Sequence, residues 1–180
     1  MTRDSRNRTR LLTLTALTTA ATCVLAPLSI PIGPVPISLT TFVLYCSIGL
    51  LGWKQAAASC LAYILIGLAG LPVFSGFAGG PARLLGPTGG YIIGFIPMIV
   101  IAGLLMERTR GRLLKFFAMA LGTIVCYAFG TVWFCMVMDA APTAALTVCV
   151  LPFIPGDVAK MLAALCFDRF LAKQTVIPRP

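Results

Sequence analysis

Between Leu11 and Lys173 the chain is a succession of long apolar runs that charges hardly interrupt, and that pattern restricts the fold more than any other feature. A run needs about 17–25 residues to cross a bilayer as a helix. The runs extend over Leu11–Ile30, Ile37–Trp53, Gln55–Leu71, Gly86–Met106, Leu113–Met138 and Gly156–Lys173. Charged residues make up 11% of the 180, against about 25% in a soluble domain. The expected fold class is an all-α membrane protein: one bundle of six transmembrane helices over residues 11–173. Residues 1–10 form a basic N-terminal segment and 174–180 a C-terminal tail. Residues 143–151, TAALTVCVL, are too short to span, and are expected as a half-helix or a segment at the membrane boundary.

The connections alternate in kind. PLSIPIGPVPISL (27–39), with four prolines, reads as a rigid non-helical loop. LPVFSGFAGGPARLLGPTGG (71–90) is too rich in Gly and Pro to be helical throughout. The other connections are basic: Lys54, ERTRGRLLK (107–115) and the end FDRFLAKQTVIPRP. Lys and Arg favour the cytoplasmic side. Six spans with both termini cytoplasmic put Arg3, Arg6, Arg8, Arg10, Lys54, Arg108, Arg110, Arg112, Lys115, Arg169, Lys173 and Arg179 inside. Arg83 alone falls outside, and Lys160 lies within a span. The N-terminal run could pass for a signal peptide, but no clean A-x-A site follows it, and it reads as a retained first span. Irregular backbone near a membrane must be buried in protein or line a water-filled cavity. Both Pro/Gly-rich loops therefore point to an outer-face pocket with a lid.

Several chemistries lack their residues. The sequence has no His and no C-x-x-C pair, so the usual zinc, haem and His-base sites are not expected, and no cofactor or metal is. The seven Cys are spread singly through apolar runs, as small packing residues would be. GxxxxGK[ST], HExxH and GxSxG are absent. The net charge of +9 could suggest nucleic acid, yet basic residues sit at the ends of apolar runs without interleaved aromatics, so no nucleic-acid partner is expected.

The stretch PFIPGDVAK (152–160) breaks the pattern. Asp157 and Lys160, three apart, share a helical face in the first turn of the last run. A charge in a membrane span is costly unless paired, solvated or turned into the bundle. Asp157 could instead cap the helix while Lys160 snorkels outward. In the loop opposite, Phe74 and Phe77 offer apolar walls, and Gly76, with its neighbours, lets backbone approach a ligand. Gly86 and Thr88, in GPTGGY, open the fourth run, where free N–H groups could hold an anion. Arg83 could bind a carboxylate or sit among headgroups; Tyr91 could stack on a ligand or join the interfacial aromatic belt. In the first run, Ala16 and Ala20 form a small-xxx-small pair, suited to a partner helix or to packing inside the bundle.

GLPVFSGFAGG, LLGPTGGYIIGF, PIGPVPISLTTF and LPFIPGDVAK together resemble the biotin-specific substrate-binding subunit, BioY, of energy-coupling-factor (ECF) transporters. The resemblance runs from about Leu11 to Lys173. It implies a vitamin-binding subunit that is not an enzyme. Such a subunit takes biotin at the outer face of the plasma (inner) membrane, surrounded by membrane lipid. It works with a transmembrane coupling protein and two ATPases. It further implies that Asp157 and Lys160 hold the ureido ring, that Ala16 and Ala20 dock the coupling protein, and that the proline-rich loop is a gate. The biotin carboxylate then needs donors, for which Arg83 or the GPTGG amides are candidates, and Ser75 is a further polar contact. Two alternatives are an uptake subunit for another small vitamin and a membrane enzyme on a lipid-linked substrate; absent His and sparse acids count against the second.

Overall fold

Proline, glycine and the charged turns set where the helices stop. The computed structural model describes residues 3–31, 35–109 and 111–174, with side-chain surroundings described within 7–170. Helix α1 spans Arg3–Leu25, and two short strands follow, β1 (Ser29–Ile30) and β2 (Ile37–Ser38). They pair antiparallel, Ser29 with Ser38 and Ile30 with Ile37. Then come α2 (Thr40–Leu51), α3 (Trp53–Leu68), α4 (Pro81–Leu85), α5 (Gly89–Arg108), α6 (Arg112–Met138), α7 (Pro142–Cys149) and α8 (Ile154–Gln174). Residues 32–34 of the proline-rich loop, with Arg110 and residues 175–180, lie outside the described residues.

Several expected boundaries move: the second run, expected from Ile37, enters its helix at Thr40, and the third, expected to Leu71, ends at Leu68. The first run leaves the helix at Leu25, because the following Pro27 disfavours helical backbone and Ser29–Ile30 pair as a strand. The fourth starts at Gly89 rather than Gly86. The last starts at Ile154, since Pro155 falls in the first turn, where no intrahelical N–H is needed. Asp157 is therefore inside the helix and not its cap, and its N–H donates to the Phe153 carbonyl at 2.8 Å. The 143–151 segment forms the short helix α7. Helix α4 is a single short helical piece within the 71–90 loop.

Among the described residues, α5 and α6 are each long and apolar enough to cross a membrane, and α7 and α8 qualify together across a 49° bend. Helices α2 and α3 are shorter apolar helices, separated by Gly52 at φ +79°, a conformation that glycine adopts without strain. Helices α5 and α6 share the most extensive interface; α1 packs on α2 and α3, and α8 on α2 and α6. The α1–α3 contact is a hydroxyl seam. Thr18 Oγ1 donates to Ser59 Oγ at 3.2 Å, Thr19 Oγ1 lies 3.0 Å from the same oxygen, and Thr15 Oγ1 donates to Gln55 Oε1 at 3.4 Å. In an apolar setting such bonds tie helices together where hydrophobic burial against lipid gives little. The seam turns Ala16 and Ala20 outward, where both are exposed. They are not used for packing inside the bundle.

Candidate functional site

The first two turns of α8 carry the Asp157–Lys160 pair into the bundle. Lys160 Nζ donates to Asp157 Oδ1 at 2.8 Å. Thr41 Oγ1, from the first turn of α2, donates to the same oxygen at 3.3 Å. Tyr127 of α6 donates its hydroxyl to Asp157 Oδ2 at 2.5 Å. Asp157 is 4% exposed, so its carboxylate, which can only accept when ionised, is satisfied by three donors from three helices. The Lys160 side chain is 13% exposed, mostly buried rather than snorkelling.

Lys160 forms part of the wall of a cleft of about 500 Å³. The rest of that wall is Pro27–Ile30 and Ile37–Leu39, from the β-ribbon and its flanks, with Gly76 and Phe77 of the loop between α3 and α4. The loop is held there by Gly76 N–H, which donates to the Pro27 carbonyl at 3.1 Å. A smaller cavity of about 50 Å³ adjoins, lined by Ser75, Arg83, Thr88 and Tyr91 among others. Ser38 of β2 borders both spaces. Arg83 donates from Nη2 to the Ser75 carbonyl at 3.3 Å. The Thr88 hydroxyl is buried with no hydrogen-bond partner, which is uncommon for a buried polar atom.

The structure thus brings Ser75, Gly76, Phe77, Arg83, Thr88, Tyr91 and Lys160 to two adjoining spaces, with Asp157 directly behind Lys160. Two expected residues sit elsewhere. Phe74 is fully buried, its ring edge-on to Tyr63 at 5.6 Å and filling the space that Gly67 leaves. It packs α3 and lines neither space. The Gly86 carbonyl accepts from Trp133 Nε1 at 3.0 Å and from Gly89 N–H at 3.0 Å, so this stretch spends polar groups on packing α5 against α6. Tyr91 is 8% exposed and lies against Gly130, where a Cβ would come within 2.2 Å of its ring. It is a core residue bordering the small cavity, not part of an aromatic belt.

Sequence reasoning missed Tyr127 and Thr41. Their signal was weak: a tyrosine inside an apolar helix, and one hydroxyl in the pair Thr40–Thr41. A larger cleft, about 710 Å³, opens at the opposite end of the bundle, between the α2–α3 turn and the end of α5. Its charged lining residues are Lys54, Glu107 and Lys115, and Lys115 is engaged by Asp168 at 2.9 Å. The Lys115 and Asp168 side chains are 17% and 13% exposed, against 13% and 6% for Lys160 and Asp157, so the smaller pair of spaces holds the more deeply buried ion pair and is the better candidate site.

A family model described as the BioY family matches residues 1–175. A probable biotin transporter BioY of Pyrococcus horikoshii is 39% identical, over 90% of this chain and 96% of its own length. The biotin transporter BioY of Thermotoga maritima is 37% identical, over 88% and 93%. The crystal structure of an S-component for biotin from an ECF-type ABC transporter superposes with a TM-score of 0.87 at 32% identity, covering 96% of this chain and 95% of that one.

Proposed function

The chain belongs to the BioY family, and from that premise we propose that it binds biotin as the S-component of an ECF-type transporter, using Asp157 and Lys160 for the ureido ring. It is a transporter subunit rather than an enzyme. The observation that carries the site assignment is the buried Asp157–Lys160 pair behind the wall of the 500 Å³ cleft. A ureido group has N–H donors beside a carbonyl acceptor. Its N–H can take the place of Lys160 at Asp157 Oδ1, while its carbonyl accepts from the released ammonium. The bicyclic ring then lies along Phe77 and the ribbon, and the valeryl tail runs past Ser38 toward the small cavity. There Arg83 pairs with the carboxylate, and Thr88, otherwise without a partner, adds a hydroxyl.

An arrangement with α1, α2, α3, α5, α6 and α8 as six spans and both ends cytoplasmic is supported by Lys54 and Lys115, which line one cleft with Glu107 and Thr109, and by Arg108 and Arg112, which flank the same α5–α6 turn. The cleft then faces outward, in the plasma membrane, with the β-ribbon as its gate. Concentrative uptake requires an energy source, since binding alone only shifts a population. A coupling protein and two ATPases supply it in this reading, docking on the exposed face of α1 that carries Ala16 and Ala20. Equilibrium binding of radiolabelled biotin to the purified protein, with and without Asp157→Ala, tests the proposal. Saturable binding lost in the variant supports it. No binding to the unaltered protein, or equal binding to both, overturns it.

A further inference from the structure

Helix α6 meets α8 through a ladder of polar contacts. Lys115, Met119, Thr123 and Tyr127 recur every four residues and share one face of α6. Asp157, Met161, Ala164 and Asp168 are spaced four, three and four apart on one face of α8. The rungs are Tyr127 to Asp157 at 2.5 Å, Thr123 Oγ1 to Met161 Sδ at 4.0 Å, and Lys115 to Asp168 at 2.9 Å. Helix α2 joins the middle rung, where the Tyr45 hydroxyl lies 2.5 Å from Thr123 Oγ1 and donates to the Met119 carbonyl at 3.1 Å.

One rung touches the ligand pair. We infer that Tyr127 is a positioning residue of the binding site: it holds Oδ2 of Asp157 so that Oδ1, shared with Lys160 and Thr41, is the oxygen presented to a ligand N–H. The torsion that orients a carboxylate is broad and its two oxygens are equivalent, so Asp157 by itself does not fix the tilt of the carboxylate plane or the direction in which an oxygen faces the cleft. Lys160 cannot set it, because Lys160 is the group the ligand displaces. Thr41 binds the same oxygen as Lys160. Of these three donors, Tyr127 grips the other oxygen, and it does so from a helix other than α8. The inference rests on the biotin reading for its ligand, whereas the Tyr127–Asp157 bond stands on the fold.

Tyr127→Phe keeps the ring and removes the hydroxyl. It is expected to weaken biotin binding about tenfold, the scale of one hydrogen bond to a charged group. In the ligand-free protein it is also expected to shift the infrared carboxylate band of Asp157, isolated by isotope labelling of aspartate and subtraction of Asp157→Asn. Lys115→Met is the control for general α6–α8 packing. Its melting temperature should fall while its biotin affinity stays within about twofold, because the site is distant. Should Tyr127→Phe fail to fold, 3-fluorotyrosine at position 127 retains the hydroxyl, and its fluorine resonance should move on adding Asp157→Asn. An unaltered affinity or an unaltered band in Tyr127→Phe overturns the inference, as does an unmoved fluorine resonance. Equal weakening by Lys115→Met also overturns it, by showing that packing alone is responsible. If the unaltered protein binds no biotin, the biotin reading falls, and the infrared or fluorine measurement alone decides the positioning bond.

Discussion

Truncating Asp157 in steps separates its charge from its acceptor oxygens. Asp157→Asn keeps an oxygen that can take a ligand N–H, but removes charge assistance. A hydrogen bond to a charged group is worth about 1.5–3 kcal/mol and a neutral one about 0.5–1.5 kcal/mol, so the difference is about 1–1.5 kcal/mol, or roughly tenfold in affinity. Asp157→Ala removes the acceptor. The bond is lost, and a ligand N–H left unpaired in the dry site costs about 1–3 kcal/mol more. Together these give about 2.5–6 kcal/mol, a roughly seventyfold to twenty-thousandfold loss. The low end is favoured, because the Lys160 side chain at 13% exposure can turn toward the cleft once its partner is gone. Titration calorimetry or radiolabelled biotin binding in detergent measures the series. Thermal unfolding of each variant checks that α8 has stayed in place, since Ala also leaves the Tyr127 and Thr41 hydroxyls without their shared partner. Affinities in the order Asp, Asn, Ala support the argument. An Ala variant that binds like the unaltered protein, or an Asn variant weaker than Ala, refutes it.

The other expectations are shorter. Arg83→Ala should weaken biotin about tenfold, the loss of one charge-assisted bond, yet leave the affinity for biotin amide nearly unchanged; an equal loss for both ligands would remove the carboxylate role. Ala16→Leu with Ala20→Leu should change stability by no more than about 0.5 kcal/mol, both positions being exposed. The same double variant should keep biotin binding and lose the coupling protein on co-purification in mild detergent. Phe74→Ala should cost about 3–5 kcal/mol in unfolding experiments, because a fully buried ring leaves a cavity against Tyr63 and Gly67.

The apolar runs and the punctuation between them were legible because hydropathy and turn chemistry are written along the chain. Ends of helices were less so. The last helix begins at Ile154 because Pro155 is tolerated in a first turn, and the two-residue ribbon exists only when Ser29 and Ser38 meet. The Asp157–Lys160 pair could be read from a spacing of three, a local property of any helix. Its other partners could not: Tyr127 stands 30 positions before Asp157 and Thr41 stands 116 before it. Phe74 and Phe77 look alike in the sequence, yet the chain turns at Gly76 and sends one ring into α3 and leaves the other exposed. The direction of Ala16 and Ala20 did have a signal. Thr15, Thr18, Thr19 and Thr22 recur at helical spacing, and the bonds of the first three to Gln55 and Ser59 turn the alanines outward.

A preformed ion pair is a poor way to stabilise a bundle. Desolvating two charges offsets most of their attraction, and apolar residues of similar volume often do as well. Its value here lies in what can replace it. Folding has already removed the water around Asp157, and Tyr127 and Thr41 keep the carboxylate satisfied on both oxygens. A ligand that brings an N–H and a carbonyl side by side exchanges one satisfied arrangement for another. A ligand with only one of the two leaves either the carboxylate without a charged or N–H partner on Oδ1 or the ammonium without an acceptor, and buried groups left unpaired give the largest discrimination that binding can achieve. If Asp157 and Lys160 take the ureido ring as proposed, selectivity for a cyclic urea follows from the closed pair itself, before any contact with the rings or the tail is counted.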